Sequence, residues 1–419
     1  MSAASKPALA WAIAVGAVIL IAACALQAAK AFLAEQSPET AVRLGLANAD
    51  SLSAVAELRE ADARKAGHDA EAVHYAQAAL RAAPLDVRAL RVLGLEADKA
   101  GGHTRARILM IIADRWSRRD TASQIWLFQQ AMMEGDWPNA SVHADALLRR
   151  RWRLADVLFP AMASALRDPS AIGPFVDRLN GVPDWRRPFL GALSWHAPDI
   201  AVPTRLFLAL RATSIPPTDE DSSNLISRYV GQGDYAQARA LWARLLPNAA
   251  AGAGKPLLYN GDFGPLPGAA PFNWRLIQSE GATTEVLPAP GTGPALHVLA
   301  PAAKDVAAAE ELLTLEPGSY RLSGRSLVEP GLSGDLFAWR LSCVAQPASP
   351  IAEARQAGAG AGGWRAFSID FQVAQGCQAQ WLRLEGLAHT GFQPAEVWYR
   401  GLAIQPMAPK GNGLERTSG

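Results

Sequence analysis

The chain has 419 residues, of which 50% are hydrophobic and 19% charged, with a net charge of +1. It is too long for one ordinary core and too apolar for a disordered chain, so two or more folded domains are expected. So even a charge balance excludes a global field for nucleic acid or acidic substrates; only two local basic runs remain, "RWSRR" at 115–119 and "RRRWR" at 149–153, of a kind that ordinarily marks a solvated helix face.

From Pro7 to Ala29 there is no charged residue: "PALAWAIAVGAVILIAACALQAA". As a helix that stretch spans roughly 34 Å, enough for a hydrocarbon layer of about 30 Å. Lys6 precedes it, which places the short N-terminal tail in the cytoplasm. Residues 1–35 are therefore expected to form one inner-membrane helix, with the bulk of the chain in the periplasm. Two other readings stay open. "IAAC" at 21–24 resembles a lipoprotein signal with Cys24 as the lipidated residue, and small residues also suit a cleaved signal peptide. Against both, the apolar stretch runs past Cys24 directly into more helix.

Residues 36–246 read as helical repeats. Gly67, Gly101 and Gly135 are spaced by 34 residues, and an alanine follows five residues after each: Ala72, Ala106 and Ala140. Glycine suits the left-handed turn that ends a first helix. A small alanine lets the second helix approach closely. Pro84 stops a helix between one pair and the next. A later unit, "LISRYVGQGDYAQARALWARLLP", repeats the pattern with Gly233, Tyr235, Ala238 and Trp242. Between them, 154–216 holds breakers such as "NGVPDWRRPF" among helical patterns, read as degenerate pairs.

This spacing resembles the tetratricopeptide repeat, most clearly over 53–152. It departs where the first-helix aromatic is missing near Val87, and where Arg118 replaces the Pro84 of the preceding unit. The resemblance implies a concave groove that binds protein segments and does no chemistry. Its first helices, about 87–99 and 121–133, would line that groove, with Arg88, Arg91 and Gln124 as exposed partner-facing members.

"PNAAAGAGKP" at 247–256 is a small-residue linker. After it the periodicity becomes alternating. "FAWRLSCV" sets Phe337, Trp339, Leu341 and Cys343 on one side, and "FSIDFQV" does the same with Phe367, Ile369, Phe371 and Val373. "NWRLIQ", "TTEVL", "ALHVLA", "ELLTL", "SYRLSGRSLV", "AQWLRLEGL" and "EVWYRGLAI" are further strands, with turn signals such as "EPGSY" between them. An antiparallel sandwich over 257–408 follows, with a flexible tail at 409–419. "NGDF" at its start, then "PFNW", the "PGSYRLSGR" hairpin and the closing "EVWYRGLAI" resemble the jelly-roll sandwich of bacterial carbohydrate-binding modules. Such modules carry an acidic residue after the aromatic pair of the closing strand, near a structural calcium. Arg400 and Gly401 stand there in this chain, so calcium is not expected.

Cys343 and Cys377 both fall in strand-like segments. In an oxidising compartment they would form a disulfide; otherwise they are two buried thiols. Catalytic signatures are missing: no H-E-x-x-H, no G-x-S-x-G and no Walker loop. "GAGAGG" at 358–363 is followed by a strand pattern rather than a helix, which argues for a loop and against nucleotide binding. Glu310 and Glu311 are adjacent, but nothing sets two carboxylates across a cleft. Of the tryptophans, Trp126, Trp137, Trp242 and Trp339 fall at core positions, which leaves Trp364 and Trp381 as candidates for stacking on sugar. The reading is a membrane-anchored, non-enzymatic scaffold without cofactor or metal, binding protein partners through its repeats in exopolysaccharide or envelope-polysaccharide assembly. The alternative is a polysaccharide-binding protein that acts through the sandwich.

Overall fold

The computed structural model describes residues 5–63, 67–247, 256–289, 293–328, 335–357, 363–390 and 393–407; the chain is helical as far as Leu245 and built of strands after it. Residues 248–255 of the linker, 358–362 of the glycine run and the tail at 409–419 lie outside the described residues. Two compact units form, Met1–Trp185 and Arg186–Gly419.

The first unit opens with α1 (Ser5–Gln36) and the short α2 (Pro38–Arg43). Within α1, Ala10–Leu33 is long and apolar enough to cross a membrane, with a mean hydropathy of 2.4 and none of it buried. A single such helix suits a membrane span or a signal sequence alike. Cys24 is exposed on it.

Three helix pairs follow: α3 (Ala49–Ala63) with α4 (Ala70–Ala82), α5 (Val87–Lys99) with α6 (His103–Trp116), and α7 (Thr121–Glu134) with α8 (Trp137–Arg150). Gly67, Gly101 and Gly135 lie at the turns with φ of 90°, 80° and 70°, a region costly for any residue with a Cβ. Ala72, Ala106 and Ala140 have no exposed surface, so the two helices of each pair meet at these alanines. Aspartates set the starts of the helices. Asp69, Asp86, Asp120 and Asp136 accept backbone N–H bonds at the N-termini of α4, α5, α7 and α8. Trp126 and Arg107 tie neighbouring pairs together, Trp126 donating to Asp98 at 2.9 Å and Arg107 to both oxygens of Glu134 at 2.8 Å. Trp137 differs from expectation. It is half-exposed, because its Nε1 reaches outward to Asp168 and Ser170 rather than into the core. The unit closes with α9 (Ala155–Ala165) and α10 (Pro169–Asn180).

The second unit starts with α11 (Arg186–His196), α12 (Ala201–Arg211), α13 (Asp219–Gly231) and α14 (Tyr235–Leu245). Gly233 has φ 82° and Ala238 is fully buried, as at the three earlier turns. Among the described residues, ten strands make two five-stranded antiparallel sheets. Sheet I orders β1 (Arg275–Leu276), β4 (Val306–Leu313), β9 (Gln380–Gly386), β6 (Asp335–Cys343) and β7 (Pro350–Ala357). Sheet II orders β2 (Thr283–Pro288), β3 (Pro294–Ala300), β10 (Ala395–Pro406), β5 (Gly318–Val328) and β8 (Arg365–Val373). The facing sides share one core, with Trp339, Leu341, Leu382 and Leu384 from sheet I and Leu296, Val298, Val397 and Tyr399 from sheet II. Two strands depart from the sequence expectation. β7 is an extra strand whose "PIAEARQA" lacks apolar alternation; it is an edge strand on β6 and needs only one satisfied side. β4 starts at Val306, ahead of "ELLTL", through alanines that carry little strand propensity of their own.

The segment from Asn260, where the sandwich is expected to start, forms a corner ahead of β1. Asn260 and Phe263 both have φ near 55°. Gly261 accepts the Leu402 N–H at 2.9 Å, and a Cβ there would sit 1.8 Å from the Leu402 carbonyl oxygen. Phe263 enters the sandwich core against Trp274, whose indole donates to the Asn260 carbonyl at 3.0 Å. The same segment holds α14. Trp242 donates to the Ala269 carbonyl at 2.8 Å and packs edge-on against Tyr259.

Candidate functional site

Two surfaces carry the residues singled out in the sequence. The first is a groove of about 750 Å³ in the first unit, lined by Glu57, Leu58 and Ala61 of α3, Arg88 and Arg91 of α5, and Thr121 and Ala122 of α7. These are the first helices of the three pairs. Arg88 is about half exposed and pairs with Glu57; Arg91 is mostly covered and bridges Glu57 and Asp120. Both therefore line the groove, but as members of an ion-pair ladder that joins α3, α5 and the start of α7. Gln124 does not line it. It is 2% exposed and sits between Asp114 and His143, its amide N–H donating to Asp114 and its Oε1 accepting from the His143 ring Nδ1 at 2.8 Å. One helical turn separates the two cases: position 121 faces the groove and 124 faces α8. Burial pushes the His143 imidazole below its ordinary value, with Asp114 pulling the other way.

Glu96 is a buried carboxylate of this unit, with no exposed surface. It accepts the Asp69 N–H at 2.6 Å and pairs with Lys99 at 2.6 Å and His68 at 3.1 Å. Burial acts to lower the Lys99 pKa, but Glu96 and Glu60 outweigh it and hold the ammonium above its usual range.

The second surface is the outside of the sandwich, where the two tryptophan candidates part company. Trp381 is on β9, on the outer face of sheet I, with the Arg383 guanidinium over its ring at 5.3 Å. That face is a lattice of matched charges. Glu310 takes Arg275 and Arg383, while Arg340 takes Glu353 and Glu385. Partial burial works against ionised Glu353, yet Arg340 and Arg355 prevail and hold its carboxyl below its ordinary value. Glu310 and Glu311, adjacent in a strand, point to opposite faces. Glu311 lies inside, accepting the Tyr259 N–H at 2.8 Å with Oε1 while Oε2 has no hydrogen-bond partner. They form no carboxylate pair.

Trp364 precedes β8 and lies against sheet II, with the Arg400 guanidinium 5.7 Å from its ring centre. Its Nε1 is buried without a hydrogen-bond partner. So Trp364 and Trp381 belong to different sheets and share no platform. The outer face of sheet II adds a residue the sequence reading passed over. Val397 and Tyr399 face the core, so Glu396, Trp398 and Arg400 face out. Trp398 stacks on His297 with ring centres 4.3 Å apart and planes 31° off parallel. His297 is fixed from both sides, by Glu396 at 2.8 Å and Glu285 at 3.4 Å. Arg325 pairs in register with Arg400 across β5 and β10, and Arg321 meets Asp370 at 2.6 Å further along the face. The alternation in "EVWYRG" carried the signal for Trp398: placing Tyr399 inside forces its neighbour out.

Cys343 and Cys377 are joined in a disulfide with Cα atoms 5.6 Å apart, linking the end of β6 to the turn before β9. Gln380, fully buried beside it, accepts the Leu315 N–H at 2.9 Å and donates to the Cys377 carbonyl at 2.9 Å. Among the described residues no group of three or more His, Cys, Asp and Glu side chains gathers where a metal ion could be held.

No family model and no curated protein matches the chain. Solved structures of carbohydrate-binding modules resemble the sandwich region. One is TmCBM61 in complex with β-1,4-galactotriose, 13% identical over 36% of this chain and 99% of the module, with a TM-score of 0.26. The CBM22-1 xylan-binding domain of Xyn10C from Paenibacillus barcinonensis is 12% identical over 32% of this chain and 86% of its own, with a TM-score of 0.25. A family 16 carbohydrate-binding module is 14% identical over 36% of this chain and 99% of its own, also with a TM-score of 0.25.

Proposed function

We propose that this protein is a membrane-anchored, non-enzymatic glycan-binding protein whose C-terminal sandwich takes polysaccharide on the outer face of sheet II. The observation that supports this reading most directly is the stacked Trp398–His297 pair with Trp364 and Arg400 on the same face. A pyranose ring offers one apolar face and a rim of hydroxyls. Half-buried indoles supply the contact for the first at small entropic cost. Glu396, Glu285 and Arg325 supply acceptors and donors for the second. In this reading α1 stays in the inner membrane, the bulk of the chain is periplasmic, and the glycan is an exopolysaccharide or envelope polysaccharide.

A second reading makes the protein a scaffold whose tetratricopeptide-type repeats hold a protein segment. It is favoured by the groove along α3, α5 and α7, where charges of both signs line the floor.

Affinity electrophoresis through gels of bacterial polysaccharides, run on the full chain, tests the first reading. Trp398→Ala and Trp364→Ala are each expected to weaken retention by roughly fivefold to tenfold, the worth of one aromatic contact. Trp381→Ala should leave retention as it is. Retention lost only with Trp381→Ala, or no retention of the unaltered chain on any polysaccharide, would remove sheet II as the site and leave the scaffold as the stronger reading.

A further inference from the structure

Neither reading above uses the two basic runs, although Arg119 and Arg151 also line the groove, and the fold brings the runs together. They are spaced by the repeat length, so "RWSRR" ends α6 and "RRRWR" ends α8 at the same edge of the array. That edge carries the connections between one helix pair and the next. Trp116 is 57% exposed and Trp152 is 52% exposed, large apolar surfaces left in water on a polar rim. Arg115, Arg118, Arg119, Arg150, Arg151 and Arg153 are exposed and, among the described residues, make no salt bridge. Several acidic residues nearby are already engaged, while Glu35 and Asp156 are exposed and, among the described residues, make no salt bridge. Asp120 caps α7 and holds Arg91, Asp86 caps α5, and Glu39 faces Arg59 at 3.6 Å.

A third observation says what lies beside this edge. Glu35, at the C-terminal end of α1, and Pro38, at the start of α2, line the same groove as Arg119 and Arg151. The apolar stretch of α1 ends at Leu33, two residues before Glu35, or roughly 3 Å of helix. The edge therefore sits at the level where the apolar helix stops. If α1 spans a bilayer, that level is the headgroup region. Arginines there meet lipid phosphates, and exposed indoles find the half-apolar boundary where tryptophan is enriched.

We propose that the arginine–tryptophan edge formed by 115–119 and 149–153 rests on an anionic phospholipid surface, with Trp116 and Trp152 lodged among the headgroups. The proposal relies on the reading of α1 as a membrane span. Apolar contact without charge would leave the arginines unexplained, and a purely solvated edge would leave the tryptophans unexplained. An anionic lipid surface uses both.

The test takes the full chain in nanodiscs of phosphatidylcholine alone and of phosphatidylcholine mixed with phosphatidylglycerol. Amide hydrogen exchange is followed at 117–120 and 151–154, and tryptophan quenching by brominated lipid is read in parallel. Exchange at both connections is expected to slow by roughly an order of magnitude in the anionic discs, an effect that salt weakens. The charge-reversed variant Arg118→Glu, Arg119→Glu, Arg150→Glu, Arg153→Glu should lose this slowing while melting at the same temperature. Quenching should fall in a Trp116→Phe, Trp152→Phe variant. A chain retained in the discs with equal exchange in both lipids overturns the edge but not the anchor. Slowing by added polyglutamate instead of by anionic lipid would also overturn it, and would assign the edge to an acidic protein segment. A chain that washes out of the discs overturns the span reading and this placement with it.

Discussion

The helical array and the sandwich solve the same problem, burying apolar surface, over very different lengths of chain. In the array the defining bonds join neighbouring units, as when Trp126 reaches Asp98 across 28 residues. In the sandwich they reach much further: His297 meets Glu396 across 99 residues, and Gln380 meets Leu315 across 65. An array of this kind gains stability unit by unit, from each pair and its interface with the next. A sandwich of nonlocal strands has little partial structure to fall back on. Damage should therefore be graded in the first unit and all-or-none in the second.

The sharpest way to break that comparison is Gly261→Ala. Its new Cβ meets the backbone carbonyl of Leu402, which no rotamer change relieves. A loss of about 4 kcal/mol or more is expected, enough to unfold the sandwich, while α3–α8 keep their helical signal. Circular dichroism with limited proteolysis reads both at once. If the variant melts like the parent, the corner at Asn260 is not the clamp described above. Opening Cys343–Cys377 comes next. The bridge closes a loop of 34 residues, and its removal by Cys343→Ser, Cys377→Ser should cost roughly 3–4 kcal/mol on the loop-entropy account. Only the transition of the second unit should move. Equal shifts of both transitions would show that the two units do not melt separately.

Glu96→Leu probes the array in the same way. It leaves Lys99 without its nearest carboxylate and the Asp69 N–H without an acceptor, at an expected cost of about 3 kcal/mol. Exchange protection should drop in α3–α6 and persist in α8–α10. A uniform loss across the whole first unit would contradict graded, unit-by-unit stability.

The same contrast explains what could be read from the sequence. The turns of the array were legible because Gly67, Gly101, Gly135 and Gly233 sit where only a residue without a Cβ turns easily, and Ala72, Ala106, Ala140 and Ala238 where only a small one fits. Which face a helical position takes was less legible. Arg91 and Gln124 look alike as polar residues in amphipathic helices, yet one lines the groove and the other is sealed between Asp114 and His143. The inward set of most strands followed from alternation. Sheet membership did not, because the strand order in each sheet is a matter of nonlocal pairing. Trp364 and Trp381 therefore read as one candidate set although they belong to different sheets, and β7, with no alternation of its own, is specified by its partner β6.

Glu311 supplies the smallest prediction and the closest comparison with Glu96. Both carboxylates are buried, but Glu96 has a cation and an N–H within 2.6 Å, whereas Glu311 has one N–H, from Tyr259, and a second oxygen with no partner. Burial dominates at Glu311 and holds its pKa well above the ordinary 4.5; the Tyr259 N–H and the charge of Arg239 oppose this without cancelling it. Folding thus favours the protonated form. Its contribution to stability is complete below the ordinary carboxylate value and is lost as the pH rises through the elevated one. Glu311→Gln removes the titration but keeps a carbonyl oxygen for the Tyr259 N–H. Arg239 keeps its stacking on Trp242 and Phe272 and its contact with the Phe272 carbonyl. The variant should match the parent near pH 4.5 and exceed it by about 1 kcal/mol at pH 8. Thermal melts of the second unit across that range decide the matter. Parallel pH profiles for the two proteins would mean that Glu311 does not hold its proton, and that the sandwich buries a charge as fully matched as the one in the array.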